Sequence, residues 1–433
     1  MSTLTVLALA VFAHALVSKR LTTTIVTAPM VFVAIGLVTG PEALDIAGID
    51  LGSDEVIALA ELTLSVVLFS DAVRVDARRV RSFVGIPARM LGVGLPLVIG
   101  FGTVATRFLL DLDWTEAAVL ASVLAATDAA LGQAVLTDES VPARIRSSLN
   151  VESGLNDGLA LPAVTLFVAI SVAESDAEPA SFWIRFVAEQ IGYGVAAGIA
   201  VGLVGGWLLL RADRGGWVDG IDGQLAAFAQ VGIAFVVSHA IGGNSFIAAF
   251  VAGMTFRFIG GDTAESKTAY TEDSGQLLAS ITFVVFGNAL LGPALDELTV
   301  PIAVLVVAML TVVRMVPIAV SLIGTGLRMP TIAFLGWFGP RGLASILFVF
   351  TVIEETDQQI DGDLYVVVAW TVLASVTLHG VTASWGARRY GAWFASHRAE
   401  IDDDTPMPEG PMDDTEEPMR PRWHPRRKPD VSE

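Results

Sequence analysis

Residues 144–164 read RIRSSLNVESGLNDGLALPAV. Two arginines open the stretch, and from Leu159 it continues almost wholly apolar to Val172. That is the pattern of a membrane-spanning helix, yet it carries Glu152, Asn156 and Asp157 inside it. An ionisable side chain at mid-bilayer costs at least ~2.5–3.5 kcal/mol on insertion scales, which makes each one a functional candidate. Glu152 and Asn156 are four residues apart, as are Ser153 and Asp157, so each pair stacks on a helix face. Gly154 and Gly158, also four apart, let a neighbouring helix approach closely. This face offers two carboxylates, an amide and a hydroxyl, the oxygen-rich set that a monovalent cation requires. The competing reading is a polar cluster that joins helices.

The rest of the chain extends this pattern. Of its 433 residues 53% are apolar and 16% charged, and the charges fall in short clusters between apolar runs. Runs of about 18 or more apolar residues read as spans. Thirteen such stretches are expected, near 3–18, 22–40, 55–72, 88–110, 115–137, 145–173, 183–210, 223–241, 244–259, 274–292, 299–324, 330–353 and 363–385. The expected fold is therefore all-α and polytopic. With no cysteine, disulfides and thiolate chemistry are excluded, and no cofactor is expected. A net charge of −19 argues against nucleic acid as a partner. Lysine occurs only at Lys19, Lys267 and Lys428, and an acidic, lysine-poor chain stays hydrated in high salt. The run from Thr3 to Val17 has no basic residue before it and reads as an uncleaved first span.

Basic residues set the orientation. Lys19 and Arg20 follow the first stretch, and Arg74, Arg78, Arg79 and Arg81 the third. Arg144 and Arg146 follow the fifth, Arg211 and Arg214 the seventh, Arg257 and Lys267 the ninth, Arg328 the eleventh, and Arg388, Arg389 and Arg398 the last. The alternate connections, GPEALDIAGIDLGSDE, DLDWTE, AESDAEPAS, HAIGGN, GPALDELTV and EETDQQIDGD, contain no lysine or arginine. The positive-inside rule then places the amino terminus outside and the carboxyl terminus in the cytoplasm, in a multi-pass plasma-membrane protein. Residues 1–395 form the expected membrane domain and 396–433 a cytoplasmic tail. Residues 401–419 carry eight acids, four prolines and no base, a composition that cannot bury a core. RPRWHPRRK at 420–428 reads either as a foot on anionic lipid or as a tail that pairs with its own acids.

Two further stretches are interrupted. In ASVLAATDAALGQAV (121–135), Thr127 and Asp128 break an apolar helix near its middle. In GWFGPRGLASI (336–346), Gly339, Pro340 and Gly342 break another around Arg341. Being seven apart in the count, these stretches cross in opposite directions, and such a pair marks a midplane transport site between inverted halves. Arg314, in LTVVRMVPIAV, lies at a depth similar to Glu152, so an ion pair is expected, with Arg341 the second choice of partner. Asp71 in AELTLSVVLFSDAVRVD has two readings, an ion ligand or an interfacial partner of Arg74. Glu189 is expected to pair with Arg185 four residues before it, and His239 and His379, each near the end of a stretch, to serve in helix packing or at an interface.

LFSDAVRVD, ATDAA, NVESGLNDG and GWFGPRGLASI, with Arg314 ahead of Arg341, together resemble the monovalent cation:proton antiporter superfamily. The Asn156-Asp157 pair is similar to the branch of NhaP-type and eukaryotic sodium/proton exchangers, and Ala129 departs from the proline common after the aspartate. The resemblance implies a homodimer of thirteen-helix protomers, each with a core domain (about 88–173 and 299–385) that moves against a dimerisation domain. It implies that Asp157 binds cation and proton in competition, with Asp128, Ser153 and the Thr127 backbone lining the same Na+ site. It further implies that Glu152 and Arg314 hold Asn156 and the core together.

Other classes fit less well. An aspartyl intramembrane protease needs a YD plus GxGD pair, which GLNDG does not match, and a serine type needs GxSxG, which does not occur. A cation channel would not need a titratable carboxylate beside Asn156. Potassium/proton exchange is the nearest alternative.

Overall fold

The computed structural model describes residues 3–21, 24–74, 85–175, 180–356, 362–399 and 409, and among them there are helices and no strand. Helices fall on each of the thirteen apolar stretches. First come α1 (Thr3–Leu21), α2 (Ala28–Thr39), α3 (Asp54–Arg74) and α4 (Gly85–Leu110). The fifth stretch is divided into α5 (Trp114–Val123) and the short α6 (Gln133–Thr137). Next are α7 (Ala143–Ser175), α8 (Ala180–Arg214), α9 (Gly220–Ala240) and α10 (Ser245–Gly260). A connector, α11 (Asp262–Lys267), leads to α12 (Ala269–Ala294). Then follow α13 (Val300–Leu310), α14 (Val312–Ser321), α15 (Met329–Trp337), α16 (Leu343–Thr356) and α17 (Gly362–Ala399). Nine helical segments among the described residues are long and apolar enough to cross a membrane.

Three boundaries differ from the sequence reading, each for a local reason. α2 begins at Ala28 rather than near 22, because the Thr27 hydroxyl accepts from Met30 N (3.5 Å) and Pro29 sits in the first turn. The eleventh stretch is broken at Thr311, where φ is −117° and ψ −91°. There the Thr311 hydroxyl donates to Val307 O (2.6 Å), and the next helix, with Pro317 inside it, starts at Val312. α17 runs on past 385 to Ala399, because its last turns pack on α15, where the Tyr390 and Thr331 hydroxyls are 3.0 Å apart. Of the expected tail, Glu409 is described: its carboxylate accepts from Arg328 N (2.8 Å) and the Thr331 hydroxyl (3.2 Å) at the start of α15. Residues 400–408 and 410–433, with the basic-aromatic run, lie outside the described residues.

The base-free connection DLDWTE is itself a helix start. Asp113 accepts from Thr115 N (3.3 Å) while Glu116 accepts from Asp113 N (3.3 Å), a reciprocal cap on α5. The bond from Thr115 N holds the exposed Asp113 carboxyl below the usual carboxylate range.

Two groups of helices result. In one, α8, α9 and α10 pack together, and α10 packs on α3. Gly194, Gly198 and Gly202 line the α8 seam, where an added Cβ would come within 2.6–2.7 Å of the carbonyls of Asn244, Ala248 and Ala252. Such close backbone approach is how membrane helices gain dispersion energy in the absence of a hydrophobic driving force. In the other group, α4, α7, α13, α14 and α17 surround the interrupted pairs α5/α6 and α15/α16. α3 lies between the groups and also touches α7 and α16.

Candidate functional site

The site forms where the two interrupted pairs meet. α5 stops at Val123, the chain runs without helical structure over residues 126–128, and a tight turn at Ala129–Gly132 restarts it. Opposite, α15 ends at Trp337 and residues 338–342 are unwound before α16. Unwinding leaves backbone groups free, and the two segments satisfy one another. Asp128 N donates to Pro340 O (2.8 Å), and the Ser345 hydroxyl donates to Val123 O (3.0 Å). The Asp128 carboxylate accepts from Leu343 N (3.0 Å), capping the start of α16, where a negative group is favoured by the helix dipole. Gly342 makes this possible, since a Cβ there would lie 2.5 Å from Asp128 Oδ2.

α7 presents its polar face to this crossing. Thr127 N donates to Asp157 Oδ1 (3.3 Å), and the Ser153 hydroxyl donates to Thr127 O (2.8 Å). Asn156 Nδ2 donates to the Thr127 hydroxyl (2.9 Å) and to Ala125 O (3.0 Å). With its amide nitrogen spent in this way, Asn156 keeps a buried Oδ1 that has no donor among the described residues. Asp157, Asn156, Thr127 and Asp128 are each 1% exposed. A cavity of about 10 Å3, roughly one water in size, is lined by Thr127, Ser153, Phe338 and Gly339. Carboxylate, amide, hydroxyl and carbonyl oxygens of Asp157, Asn156, Ser153 and Thr127 thus lie close together at the crossing, a set able to coordinate a monovalent cation.

Positive charge arrives from two sides. Arg314, in the first turn after the break at Thr311, donates from Nη1 to Glu152 Oε1 (2.8 Å). Glu152 Oε1 also lies 3.4 Å from Asn156 Nδ2, so the pair is tied to the residue beside Asp157. Gly339 clears the space for the guanidinium, since a Cβ there would be 2.3 Å from Arg314 Cζ. Arg341 donates from Nη1 to Gly339 O (3.0 Å) and from its backbone N to the Ser375 hydroxyl (2.6 Å). Its charge lies in the field of Arg314, Glu152 and Asp157.

Of the residues read from the sequence, Asp157, Asp128, Thr127, Ser153, Asn156, Glu152, Arg314 and Arg341 come together at this crossing. Glu152 takes Arg314 as its hydrogen-bonded partner, the first choice from depth. Asp71 is buried (3%) on α3, the helix between the two groups, while Arg74 bridges to Glu272 on α12 (3.2 Å). Arg185 and Glu189 form the expected surface pair (2.7 Å). His379 packs helices, with Nε2 3.0 Å from Trp337 O and Nδ1 3.1 Å from the Ser375 hydroxyl. Sequence reading missed Ser345 and Ser375, hydroxyls in largely apolar helices that secure the unwound segments. It also missed Phe338, which closes the small cavity. Ser345 and Phe338 lie within the interrupted stretch 336–346, which was their only signal, and Ser375, in the thirteenth stretch, had none.

Comparison with known proteins identifies the family. Residues 6–389 match the family described as "Sodium/hydrogen exchanger, transmembrane". Among similar curated proteins, the K(+)/H(+) antiporter NhaP2 of Shewanella baltica is 25% identical over 83% of this chain and 62% of its own length. A probable Na(+)/H(+) antiporter of Schizosaccharomyces pombe is 22% identical over 66% of this chain and 42% of its own. The chain thus spans less than two thirds of these relatives. Among solved structures, the sodium proton antiporter MjNhaP1 of Methanocaldococcus jannaschii at pH 8 superposes with a TM-score of 0.73 at 16% identity, covering 89% of this chain and 97% of that one. Fold, apolar helices and family match agree: this multi-pass membrane protein belongs to the transmembrane sodium/hydrogen exchanger family.

Proposed function

We propose that the chain is a secondary antiporter that exchanges Na+ or Li+ for H+ by alternating access, with Asp157 as the group that carries either ion. The observation that carries this reading is the Asp157 carboxylate, buried between two interrupted helices beside the Asn156 oxygen and the Thr127 and Ser153 groups. A carboxylate can bind a proton or a monovalent cation but not both, and that competition is what couples the two fluxes. Thr127, Ser153, Asn156 and Asp128 complete the ion's oxygen environment, and Asp71 enters from α3 on one side of the cycle. Glu152, Arg314 and Arg341 hold the crossing together.

The charge balance supports one-for-one exchange. Asp128, Glu152 and Asp157 oppose Arg314 and Arg341, so the site is neutral once Asp157 carries a proton or a monovalent cation. The group built around α4 to α7 and α13 to α17 acts as the moving core in a homodimer in the plasma membrane, with the amino terminus outside and the carboxyl terminus cytoplasmic. K+/H+ exchange is the second reading, favoured by the names of the Shewanella relatives.

The test is proton flux in vesicles containing the purified chain, with NaCl, LiCl and KCl added in turn against choline chloride. Na+ and Li+ are expected to release a preformed pH gradient at millimolar concentration, with K+ much weaker. Release by K+ alone would transfer the assignment to the second reading. Release independent of every cation would remove the antiport reading.

A further inference from the structure

The base-free connection HAIGGN ends on Asn244, the cap of α10. Its Oδ1 accepts from Phe246 N and Ile247 N (both 3.0 Å), and its own N–H donates to Gln190 O on α8 (3.0 Å). Gly243 brings the connection this close, since a Cβ there would lie 2.6 Å from Gly194 N. Asn244 is thus fixed to α8 and α10. Its Nδ2 reaches the other way and donates to the Thr165 hydroxyl on α7 (3.2 Å). Both residues are buried, at 7% and 5% exposed.

This bond crosses the boundary between the two helix groups, to one side of the ion site. Thr165 lies eight residues beyond Asp157 on α7, a rise of about 12 Å. Nearer Asp157, the Phe250 ring packs on Gly158. From Gly158 to Thr165 is seven residues and from Phe250 back to Asn244 is six, so α7 and α10 run antiparallel along one seam. Between those points Leu161 and Val164 of α7 share a buried apolar cluster with Phe246 and Ile247 of α10. Apolar contacts are non-directional and can slide, whereas a buried amide hydrogen bond is either made or replaced by water. Such a bond at the far end of an apolar seam therefore has two states, and the entry of water satisfies the second. Resting on the alternating-access reading above, in which α7 moves against α8 and α10, we propose that Asn244 and Thr165 form a latch. It is closed in this structure, and it opens once in each exchange cycle to admit water along α7 towards Asp157.

The chain has no cysteine, so a single introduced thiol reports on this seam without background. Leu161, three residues after Gly158 and four before Thr165, shares their helix face and is 1% exposed. The test is the rate at which Leu161→Cys reacts with a small charged methanethiosulfonate in the purified full chain, with and without Thr165→Val. Valine keeps the shape of threonine and removes the hydroxyl. The reaction is expected to quicken about two- to tenfold, the factor that one net hydrogen bond represents. Thr165→Ser, which keeps the hydroxyl, should react at the parent's rate. Ala227→Cys, fully buried on α9, should react no faster in the Thr165→Val protein, which excludes general loosening. Thiol reaction needs no ion exchange and can be followed equally well in Asp157→Asn protein, so its failure is separable from failure of the transport reading. An unchanged rate in Thr165→Val, an equal gain with serine, or an equal gain at Ala227→Cys would each overturn the latch. So would a Leu161→Cys that stays unreactive in parent and variant alike, since the seam would then never open.

Discussion

Glu152 and Arg314 stand 2% and 3% exposed, 162 residues apart in sequence and 2.8 Å apart in space. Neither charge is tolerable alone in that setting, and removal of one member of a buried pair leaves the other uncompensated at a cost of ~3–5 kcal/mol. Glu152→Ala and Arg314→Ala should each lower the thermal midpoint of the purified protein by that order. The double variant should lose clearly less than the two added together, because it strands no charge. Additive losses would show that the two residues do not depend on each other, and Arg341 would then be the partner to test. This pair was legible in the sequence because depth along two apolar stretches and the cost of a lone guanidinium left few alternatives. Gly339 was legible only as a helix breaker. Its second role, clearing room for the Arg314 guanidinium at 2.3 Å from a would-be Cβ, depends on a contact between helices that spacing does not encode.

At the level of the helix, Asp128 uses its side chain to cap a stretch other than its own. Its carboxylate caps α16 through Leu343 N. Asparagine is as good an N-cap as aspartate, whereas alanine costs ~0.5–2 kcal/mol. Asp128→Asn should therefore keep the thermal midpoint close to that of the parent, and Asp128→Ala should lower it. If the residue serves mainly as this cap, the asparagine variant should also retain more exchange than the alanine variant. Equal destabilisation by both would mean that charge, rather than capping, is what the crossing requires. The interruptions at 126–128 and 338–342 were readable because Gly and Pro, or Thr and Asp, disturb otherwise apolar runs. The break at Thr311 was not, since one threonine in such a run is ordinary. The Thr311 hydroxyl bond to Val307 O does not mark it either, since Thr103 and Thr282 make the same bond inside unbroken helices. α17 continues past the expected end of its apolar stretch at 385, through turns the sequence assigns to the membrane domain, and there Tyr390 meets Thr331 on α15.

For the whole molecule, hydropathy and the alternation of basic residues were enough to set out the helices, because backbone groups in lipid must be satisfied within each segment. How the helices gather into two groups was not readable. It depends on seams such as Gly194, Gly198 and Gly202 against the α10 backbone, and on the contact of Gly158 with Phe250, whose ring a Cβ would meet at 2.4 Å. The proposal that the loaded site is neutral has a consequence at this scale. A cycle that moved one net charge would couple to voltage at ~2.3 kcal/mol per 100 mV, about a fifty-fold change in the exchange equilibrium. If each crossing is neutral, vesicles driven by a sodium gradient should settle at the same pH difference with or without a potassium–valinomycin potential. A shift of that end point with voltage would assign a second proton to Asp128.

The central claim is that Asp157 carries both ions, and Asp157→Asn tests it most directly. Asparagine preserves the volume and the acceptor towards Thr127 N but removes the titratable group. The variant should enter the membrane and match the parent in thermal midpoint within about 1 kcal/mol, the size of one neutral hydrogen bond. In reconstituted vesicles it should show no proton flux driven by Na+, Li+ or K+. Cation-driven proton flux at the parent's rate in a well-folded Asp157→Asn protein would contradict the account.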